Sequence, residues 1–492
     1  MLKFFILIAS LFFFSQSLFA QMVLKYKITS PNTSITIPLN GTVNVTVDWG
    51  DGSVKQKVTT VGSQKHIYVN IGLYTVTISG SLSHFGSEYD FMADGLGPYL
   101  LSVENWEGLG LTSLRCAFYQ ANNLISVPSI LPTSITDLSW MFAMASSFNQ
   151  FIGNWNTEKI TNMAGMFDRA RSFNKPIGSW NTVNVTDMSD MFRSAGSFNQ
   201  PIGAWNTSSV INMSEMFLEA DGFNQPIGDW NTGNVTDMRS MFRGANSFNQ
   251  PIGTWNTSKV NDMSTMFRSI YAFNQPIGTW NTSSVRTMSS MFQSSYSFNQ
   301  PIGTWNTGNV TNMSSMFDGA VSFNQPLGTW DIRKVESMSD MFSGQLCTSN
   351  YDNLLTGWAP QEVKSGIYLN GGGSKYSTAS ESARTNLVRK GWTFRDGGPG
   401  VDNSKCSAPA SVEVIQNHAL NQEIELYPNP STRWFTVSGK TGLGNISIYN
   451  SVGTLVYEIN TNASVQNIDF NSNEAGIYLL KIGTKSAKFI KE

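Results

Sequence analysis

Two carboxylates, Asp237 and Asp262, have the residue type and spacing that acid–base cleavage of a glycosidic bond would need. Such cleavage uses a pair of carboxyl groups about 5–10 Å apart in a cleft. Both aspartates occupy the same place in adjacent repeats, so they would lie about 5 Å apart if the repeats stack at the spacing of β-strands. Other repeats have Asn212, Thr287 or Asn312 at this place, which indicates an exposed polar position.

The repeats contain no histidine or cysteine, two residue types that often act as nucleophile, base or metal ligand. No histidine lies between His84 and His418, and no cysteine lies between Cys116 and Cys347. No serine-centred elbow or phosphate-binding loop occurs either. The chain is therefore predicted not to be an enzyme, and no catalytic, cofactor-binding or metal-binding residue and no cofactor is assigned.

The composition also limits the partners. Charged residues make up 13% of the 492 residues, about half of the ~25% that is usual for soluble domains, and the formal net charge is −2. A surface with no basic patch does not favour nucleic acid or an anionic membrane. We expect no nucleic-acid partner.

A 25-residue repeat organises the chain from Trp140 to Phe342. Tryptophan recurs without a slip at positions 155, 180, 205, 230, 255, 280, 305 and 330, and Met-Phe pairs recur in the same register. A fixed period of about 20–50 residues is typical of arrays whose units bury their apolar faces on one another.

The repeat favours strands and turns over helices. The apolar spacing from Val310 to Ala320 also fits a helical stripe, but Pro301 and Gly303 interrupt the other half of the repeat. Helical hairpin repeats usually need more than about 30 residues, whereas leucine-rich coils take about 20–29. The predicted fold is mainly β, a leucine-rich-type β-solenoid of about ten 25-residue coils flanked by two small β-sandwich domains, with short strands stacked coil on coil.

Positions that vary between coils are the candidates for ligand contact. Three of them, Arg193, Arg243 and Arg268, form a possible contact track. The alternative is that the varying positions are solvated turns whose sequence varies without a functional constraint. Exposed aromatics of the kind that a lectin uses are limited there to Tyr271 and Tyr296. The asparagines that recur from Asn149 onward are interpreted as an internal amide ladder that satisfies backbone groups.

The first residues are predicted to be a secretory signal peptide. Lys3 precedes an apolar run, Phe4–Phe14, that is too short to span a bilayer, and cleavage is expected between Ala20 and Gln21. No later apolar stretch reaches about 18 residues, so no transmembrane segment is expected. No cysteine follows the run, which argues against a lipid anchor.

Residues 22–80 alternate apolar and polar side chains in short runs, as in a small antiparallel sandwich. With Val47-Asp-Trp-Gly-Asp-Gly52 and His66-Ile-Tyr68, the segment resembles the PKD domain, an immunoglobulin-like extracellular module. The resemblance implies a core role for the Trp and Tyr and a turn at Gly-Asp-Gly. Asp48, Asp51 and His66 are accordingly interpreted as structural.

Both ends of the array have atypical segments. Leu111–Leu124 aligns with one repeat but has Leu where the repeat has Met and Phe. It is therefore predicted to be part of an N-terminal cap. Near the other end, Thr378–Glu381 has the form of a capping box, Ala379–Lys390 is predicted to be a helix, and Gly391 would end it.

The cysteines do not form a disulfide framework. Cys116 and Cys347 lie at opposite ends of the array and are too far apart to pair if it is a solenoid, because a bridge needs Cα atoms within about 7 Å. A pairing of Cys347 with Cys406 is left open.

The C-terminal residues 421–492 form six short β runs, among them Trp434–Val437 and Gly476–Ile482. The segment resembles the C-terminal sorting domain of the type IX secretion system. The resemblance implies a partner, the type IX machinery, and export across the outer membrane of a Bacteroidetes-type bacterium after passage through the Sec system.

The repeats, with Ser-Phe-Asn-Gln-Pro-Ile-Gly-x-Trp-Asn-Thr and Val-Thr-x-Met-Ser-x-Met-Phe, resemble the BspA-like family of bacterial surface repeat proteins. The resemblance covers about residues 110–358 and implies a secreted or surface-attached binding or adhesion protein for an unknown protein or glycan. A passive structural surface or spacer protein is the alternative, and a polysaccharide-active enzyme is a third.

The predicted organisation has seven segments. They are a signal peptide at 1–20, a PKD-like β-sandwich at 22–87, an N-terminal capping region at 88–140, regular repeats at 141–346, a C-terminal cap with one helix at 347–398, a linker at 399–420 and a sorting domain at 421–492.

Overall fold

The computed structural model describes residues 21–87 and 97–404, and seven segments of the C-terminal region. These segments are 424–427, 434–439, 444–449, 455–463, 465–470, 476–482 and 485–491. The predicted signal peptide with Ala20, most of the predicted linker and Cys406 lie outside the described residues. The chain forms two compact units, residues 1–407 and 408–492.

The first unit begins with a six-stranded antiparallel sheet. Its strands are β1 (Gln21–Ile28), β2 (Thr33–Asp48), β3 (Gln56–Val58), β4 (Gly62–Tyr68), β5 (Gly72–Phe85) and β6 (Leu100–Asn105). The order is β3-β2-β5-β1-β6, and the first half of the long strand β2 pairs with β4. A register shift between Asn40 and Val43 separates the two halves of β2, and Gly41 adopts φ +66° there.

The sheet is joined directly to the repeats. His84 of β5 forms a parallel bridge with Ser113, and the N–H of Leu82 donates to the carbonyl of Leu109 at 2.9 Å. Buried side chains from Met22 to Trp392 consequently form one continuous hydrophobic core. That residues 22–87 form a PKD-like sandwich stays a prediction.

Each coil contributes one bridge residue to a parallel ladder. The ladder consists of Ser113, Asp137, Asn162, Asp187, Asn212, Asp237, Asp262, Thr287, Asn312 and Ser337. Between residues 106 and 337, all of which are described, the coils contain no strand longer than such a bridge. The short strands expected from the sequence are therefore reduced to single residues, because overlapping turns follow each bridge.

These turns use alternate backbone N–H groups in two ways. In the coil that contains Met163, every second N–H from Met163 to Arg169 donates to a carbonyl of the next coil at 2.7–3.0 Å. Of the N–H groups between them, that of Ala164 donates to Asn162 Oδ1 at 2.9 Å, and those of Met166 and Asp168, like that of Ala170, donate three residues back within the coil at 3.0–3.2 Å. The Met-Phe segment is thus a series of β-turns that still hydrogen-bonds to its neighbour.

The turns require left-handed backbone at two positions in each coil, those equivalent to Ser315 and Gly319. Left-handed φ values at the first position range from 52° to 60° in Trp140, Gly165, Asp190, Glu215, Ser240, Thr265, Ser290, Ser315 and Asp340. Because left-handed backbone costs about 1–2 kcal/mol for a residue with a Cβ, this strain is offset by the packing and hydrogen bonds between coils.

Three aromatic columns fill the core. Trp155 to Trp305 stack with ring centroids 6.4 Å apart. The phenylalanines of the Met-Phe pairs stack at 5.5–5.9 Å, and those at positions such as Phe298 stack at 6.0–6.3 Å. From Trp180 to Trp330, each indole Nε1 donates to a carbonyl of the preceding coil at 3.0–3.1 Å.

The C-terminal cap continues the stack with larger coils. Its elements are β7 (Met338–Phe342), α1 (Thr348–Trp358), β8 (Tyr368–Gly371), α2 (Glu381–Arg389) and β9 (Thr393–Arg395), and the three strands pair in parallel. The predicted cap had one helix, whereas the structure has two. The indole of Trp358 at the end of α1 donates to Leu327 at 3.0 Å, as the tryptophans of the array do.

Helix α2 lies within the predicted range, but the capping box is not formed. Ser380 is the N-cap residue, and its hydroxyl contacts Asp352 and Ser377 instead of the first helical turn. Gly391, at φ +90°, follows the helix. Cys347, at the start of α1, is disulfide-bonded, and Cys116 is buried.

The second unit contains two antiparallel sheets. One has the order β10-β11-β14, from Ile424–Tyr427, Trp434–Gly439 and Val465–Asp469. The other has the order β13-β12-β15-β16, from Leu455–Thr461, Gly444–Tyr449, Gly476–Ile482 and Lys485–Lys491. Its buried core includes Val437, Ile446, Ile468 and Leu480.

Candidate ligand-binding face

One side of the array is formed by the overlapping turns, and we call it the turn face. It consists of the side chains at the positions equivalent to Ser315, Asp318, Gly319 and Val321 in every coil. The two left-handed positions of each coil lie within it. The turn face contains the three arginines that the sequence singled out.

Arg193 is held in a cluster of acidic side chains. Its Nη1 lies 3.1 Å from Asp190 Oδ1 and 3.2 Å from Glu215 Oε2, and its Nε lies 3.8 Å from Asp168 Oδ1. Arg239 Nη2 approaches the other oxygen of Glu215 at 3.9 Å. Because Arg193 neutralises carboxylates from three coils, it has a structural task and is not simply available to a ligand.

Burial changes the ionisation of this cluster. The side chain of Asp168 is only 1% exposed, and burial raises its pKa to about 6 although Arg169 and Arg193 oppose the shift. Burial and the neighbouring Glu215 raise the pKa of Asp190 to about 6 as well. Asp190 and Glu215 were not singled out from the sequence, although the spacing of one coil between them was visible.

Arg243 and Arg268 differ from Arg193. They are half-buried, lie in adjacent coils, and form no side-chain ion pair or hydrogen bond with other residues in the described part of the chain. The buried Leu218 occupies the equivalent position in the coil between Arg193 and Arg243. The predicted track is therefore interrupted, and the structure brings only Arg243 and Arg268 together.

Tyr271 and Tyr296 also lie on the turn face, in adjacent coils. Their rings are stacked with centroids 5.0 Å apart and an angle of 3° between their planes. Their exposed fractions are 47% and 46%, and Val321 follows in the next coil with 54% exposed. These side chains form an exposed apolar strip beside Arg268.

Asp237 and Asp262 form adjacent bridges of the ladder, as their spacing predicted. Asp237 Oδ1 accepts the backbone N–H of Arg239 at 2.9 Å, and Asp262 Oδ1 accepts that of Ser264 at 2.8 Å. Burial raises the pKa of Asp237, while the N–H and charge of Arg239 act against that shift. Both carboxylates thus stabilise the turn that follows them.

The recurrent asparagines form the amide ladder that the sequence indicated. Asn149 Oδ1 accepts the backbone N–H of Asn174 at 3.0 Å, and Asn174 Oδ1 accepts that of Asn199 at 3.0 Å. Gln200 adds a second bond to Asn174 Oδ1 at 2.8 Å. The same pattern continues to Asn324, so these side chains satisfy backbone groups between coils.

A groove runs along a different row of the array. It has a volume of about 780 Å³ and is lined by Pro, Gly and Thr residues of several coils, among them Pro251, Gly253 and Thr254. Its threonine hydroxyls are used internally, since Thr254 Oγ1 donates to the carbonyl of Gly228 at 2.7 Å.

In the N-terminal sheet, Asp48, Asp51 and His66 have structural contacts. His66 Nε2 lies 2.7 Å from Asp51 Oδ2, and the His66 ring stacks on Trp49 at 4.6 Å. Asp48 Oδ1 accepts the N–H of Gly50 at 3.0 Å. These contacts hold the Gly-Asp-Gly turn in place.

The parts of the chain that the structure describes contain no helix long and apolar enough to cross a membrane. They also contain no group of three or more His, Cys, Asp or Glu residues arranged to hold a metal ion.

A stack of coils with buried aromatic columns and a one-residue bridge per coil defines a mainly β repeat protein. The chain belongs to the family described as "Mycoplasma protein of unknown function, DUF285", which matches residues 112–221, 176–275 and 250–358, together half of the chain. This agrees with the BspA-like resemblance of the repeats and identifies a repeat surface protein.

Residues 425–492 match the secretion system C-terminal sorting domain. The match indicates recognition by the type IX secretion system, and with it export to the cell surface or the medium.

Other comparisons add little. An internalin from Listeria monocytogenes is similar over 63% of this chain and 83% of its own length, with 12% identity and a TM-score of 0.20, which is too low to support an argument about fold. No curated protein matches the chain.

Proposed function

We propose that this protein is a secreted or surface-attached binding or adhesion protein of a Bacteroidetes-type bacterium. Its array is the interaction scaffold, and the turn face is the contact surface. The observation that carries the proposal is that turn-face side chains change in charge and size from coil to coil, while the aromatic columns and the backbone bonds between coils do not. The type IX machinery that recognises the sorting domain is its export partner.

The variation on the turn face is not needed for folding. The position of Arg243 and Arg268 is occupied by Leu218, Gln293 and Asp318 in other coils of the same backbone geometry. Because the coil accepts an aliphatic, an amide or a carboxylate there, packing does not demand a guanidinium. Arg243 and Arg268 have donors that are not used internally, so we assign them to ligand contact.

The proposal is tested with the whole exported chain, because the core of the N-terminal sheet is continuous with that of the coils. Saturable binding is measured to immobilised extracellular-matrix proteins and to a panel of oligosaccharides. A variant with Arg243→Ser and Arg268→Ser is expected to lose at least about tenfold in affinity, which corresponds to about 1.4 kcal/mol. Arg193 is left unchanged, since its removal would take away one of the two arginines that act against the burial of Asp168.

A matched control removes two exposed cations from outside the turn face, with Lys159→Ser and Arg286→Ser. It should bind like the unaltered chain. Equal loss in both variants would indicate a general charge effect and would refute the turn face as the contact surface.

A passive surface or spacer protein is the alternative, and it predicts no saturable binding to any member of either panel. A polysaccharide-cleaving enzyme is the least supported function, because Asp237 and Asp262 are each used by a turn N–H.

A further inference from the structure

The tyrosine pair occupies a position at which the fold does not require an aromatic side chain. From the second regular coil onward this position holds Arg171, Gly196, Asp221, Asn246, Tyr271, Tyr296 and Val321. The left-handed residues around it and the backbone bonds to the next coil are the same in these coils, although the coil of Tyr271 has Ile270 in place of alanine and lacks the two turn bonds that Ala245 makes with Phe242 and Phe248. Since glycine and aspartate are accommodated there, the tyrosines are not explained by packing.

The geometry of the pair differs from that of the buried columns. The ring centroids of Tyr271 and Tyr296 are 5.0 Å apart although the planes are nearly parallel. Parallel rings in full face-to-face contact are separated by about 3.5–4.0 Å, so the 5.0 Å spacing shows that the two rings are not in full face-to-face contact. Almost half of each side chain is exposed.

Planar polar side chains occur close in sequence to the rings and in the adjacent coils. Asn246, at the equivalent position in the coil before Tyr271, donates from Nδ2 to Asp221 Oδ1 at 2.9 Å, and Gln293, in the coil of Tyr296, donates from Nε2 to Asp318 Oδ2 at 2.9 Å. These amide–carboxylate pairs are held in place by each other, which reduces the entropy lost when they bind a ligand.

Charge separates this part of the turn face from the rest. The preceding coils carry the Arg193 cluster with three carboxylates, whereas at the arginine position the coils of Tyr271, Tyr296 and Val321 carry one cation, Arg268, and one carboxylate, Asp318. A ligand with strong net charge of either sign gains little there. A neutral ligand with apolar faces and hydroxyl groups matches both the rings and the amides.

We propose that Tyr271 and Tyr296, with Asn246 and Gln293, form a binding site for a neutral oligosaccharide. The C–H face of a pyranose packs on an aromatic ring, and its hydroxyls hydrogen-bond to planar amide and carboxylate groups. This site deepens the proposed binding function and rests on it.

The test uses the whole exported chain and a panel of immobilised neutral hexose and N-acetylhexosamine oligosaccharides. A variant with Tyr271→Asn and Tyr296→Asn has at both positions the residue found at Asn246. It is expected to lose at least tenfold in affinity for the oligosaccharides that the unaltered chain binds. A soluble form of the bound oligosaccharide should protect both tyrosines from iodination in the unaltered chain.

The matched control is Ile211→Thr, which removes an exposed apolar side chain elsewhere and has the residue found at Thr186 and Thr236. It should bind as the unaltered chain does. Tryptophan fluorescence reports folding in all variants, because Trp155 to Trp330 are buried and no substitution changes a tryptophan.

Three outcomes would overturn the site: oligosaccharide binding that the tyrosine variant retains, equal loss in the control, or no oligosaccharide binding at all. If matrix proteins bind and oligosaccharides do not, the glycan site is refuted and the general binding function stands. If nothing binds to either panel, the general binding function fails too.

Discussion

Left-handed residues determine which side chains each coil can accept. Gly165 is the glycine at the first left-handed position, at φ +60°, and a Cβ added to it would overlap the indole of Trp140 in the preceding coil. The coils that follow have small or flexible polar residues at the equivalent place, from Asp190 to Asp340. Gly165 is therefore required by its neighbour as much as by its own backbone.

Gly165→Ala should lower the free energy of unfolding by about 2–4 kcal/mol, because overpacking adds to the strain of a left-handed alanine. Equilibrium unfolding in urea measures this loss. Gly244→Ala is the matched control, since Gly244 has φ +69° but faces only the flexible side chain and backbone of Glu219 at 3.3 Å or more. Trp140→Ser in the Gly165→Ala background should restore part of the stability; no restoration would contradict the explanation.

The buried carboxyl of Asp168 predicts an unusual pH dependence. Its pKa in the folded chain, about 6, lies above its ordinary value of 3.8, so the folded state binds more protons than the unfolded state between these values. The stability associated with Asp168 is therefore present below about pH 4 and is lost as the pH rises through about 6. Thermal unfolding of Asp168→Asn across this range should show a smaller decline than the unaltered chain.

Asp51 is a control for this argument, because its pKa is shifted in the opposite direction. Although burial acts to raise it, hydrogen bonds from Ser53 and His66 lower the pKa of Asp51 to about 2. Its contribution is present above its ordinary value of 3.8 and is lost as the pH falls toward 2. Asp51→Asn should therefore destabilise the chain near neutral pH, and a gain in stability there would contradict the linkage argument.

At the scale of the coil, side-chain amides form some of the hydrogen bonds between neighbours that backbone groups form in a β-sheet. The file of asparagines provides acceptors for backbone N–H groups in the half of the coil that contains no bridge. In that half, Asn249 Oδ1 accepts the N–H of Asn274 at 3.1 Å and the Nε2 of Gln275 at 3.0 Å.

Asn249→Ala should cost about 1–3 kcal/mol of stability, because it leaves a backbone donor without its acceptor. Asn249→Asp keeps the acceptor oxygen and should cost less. Urea unfolding compares the two variants, and hydrogen exchange at the amide of Asn274 reports the local effect. Similar losses in both variants would show that the acceptor is not what Asn249 contributes.

Much of the coil could be predicted from the sequence because its signals are local and repeated. The aromatic columns follow directly from the spacing of Trp305 and Phe317 in one coil, and the amide ladder follows from the recurrent asparagines. The left-handed turns could not be predicted, because residues such as Thr265 and Glu215 have no general preference for that backbone. The structure therefore has overlapping turns where the sequence predicted short strands.

Helix α1 was missed although its signal was present. Tyr351, Leu354, Leu355 and Trp358 are buried and have the spacing of one helical face. Asparagine, threonine and glycine among them have low helix propensity, and burial against the last coil overrides it. The cluster around Arg193 was missed for a related reason, since it depends on which turn residues point to each other across coils.

At the scale of the molecule, the predicted boundary at residue 88 was drawn from local composition. The structure joins the sheet and the coils through His84 and Ser113, a contact that no local pattern shows. A fragment that begins at residue 88 would lack Leu82 and Phe85 and would expose buried side chains that pack on the missing sheet, such as Phe118.

Equivalent coils should be removable as whole units. Deletion of residues 254–278 joins Gly253 to Thr279 in the same register, so the remaining interfaces are preserved. We expect a folded chain whose near-ultraviolet circular dichroism per tryptophan is unchanged and whose urea m value falls with the surface removed. Deletion of residues 254–265, half a coil, should prevent this folding; equal tolerance of both deletions would contradict the coil as the structural unit.

The constant length of the coils also has a consequence for the gene. A repeat of 25 residues is a whole number of codons, so exchange between misaligned copies adds or removes complete coils and keeps the reading frame. The coil surfaces that pack together at the new junction are equivalent to the coil surfaces that were separated. The distance spanned by the array can therefore change between generations in steps of one coil, while each surviving coil keeps its own surface residues.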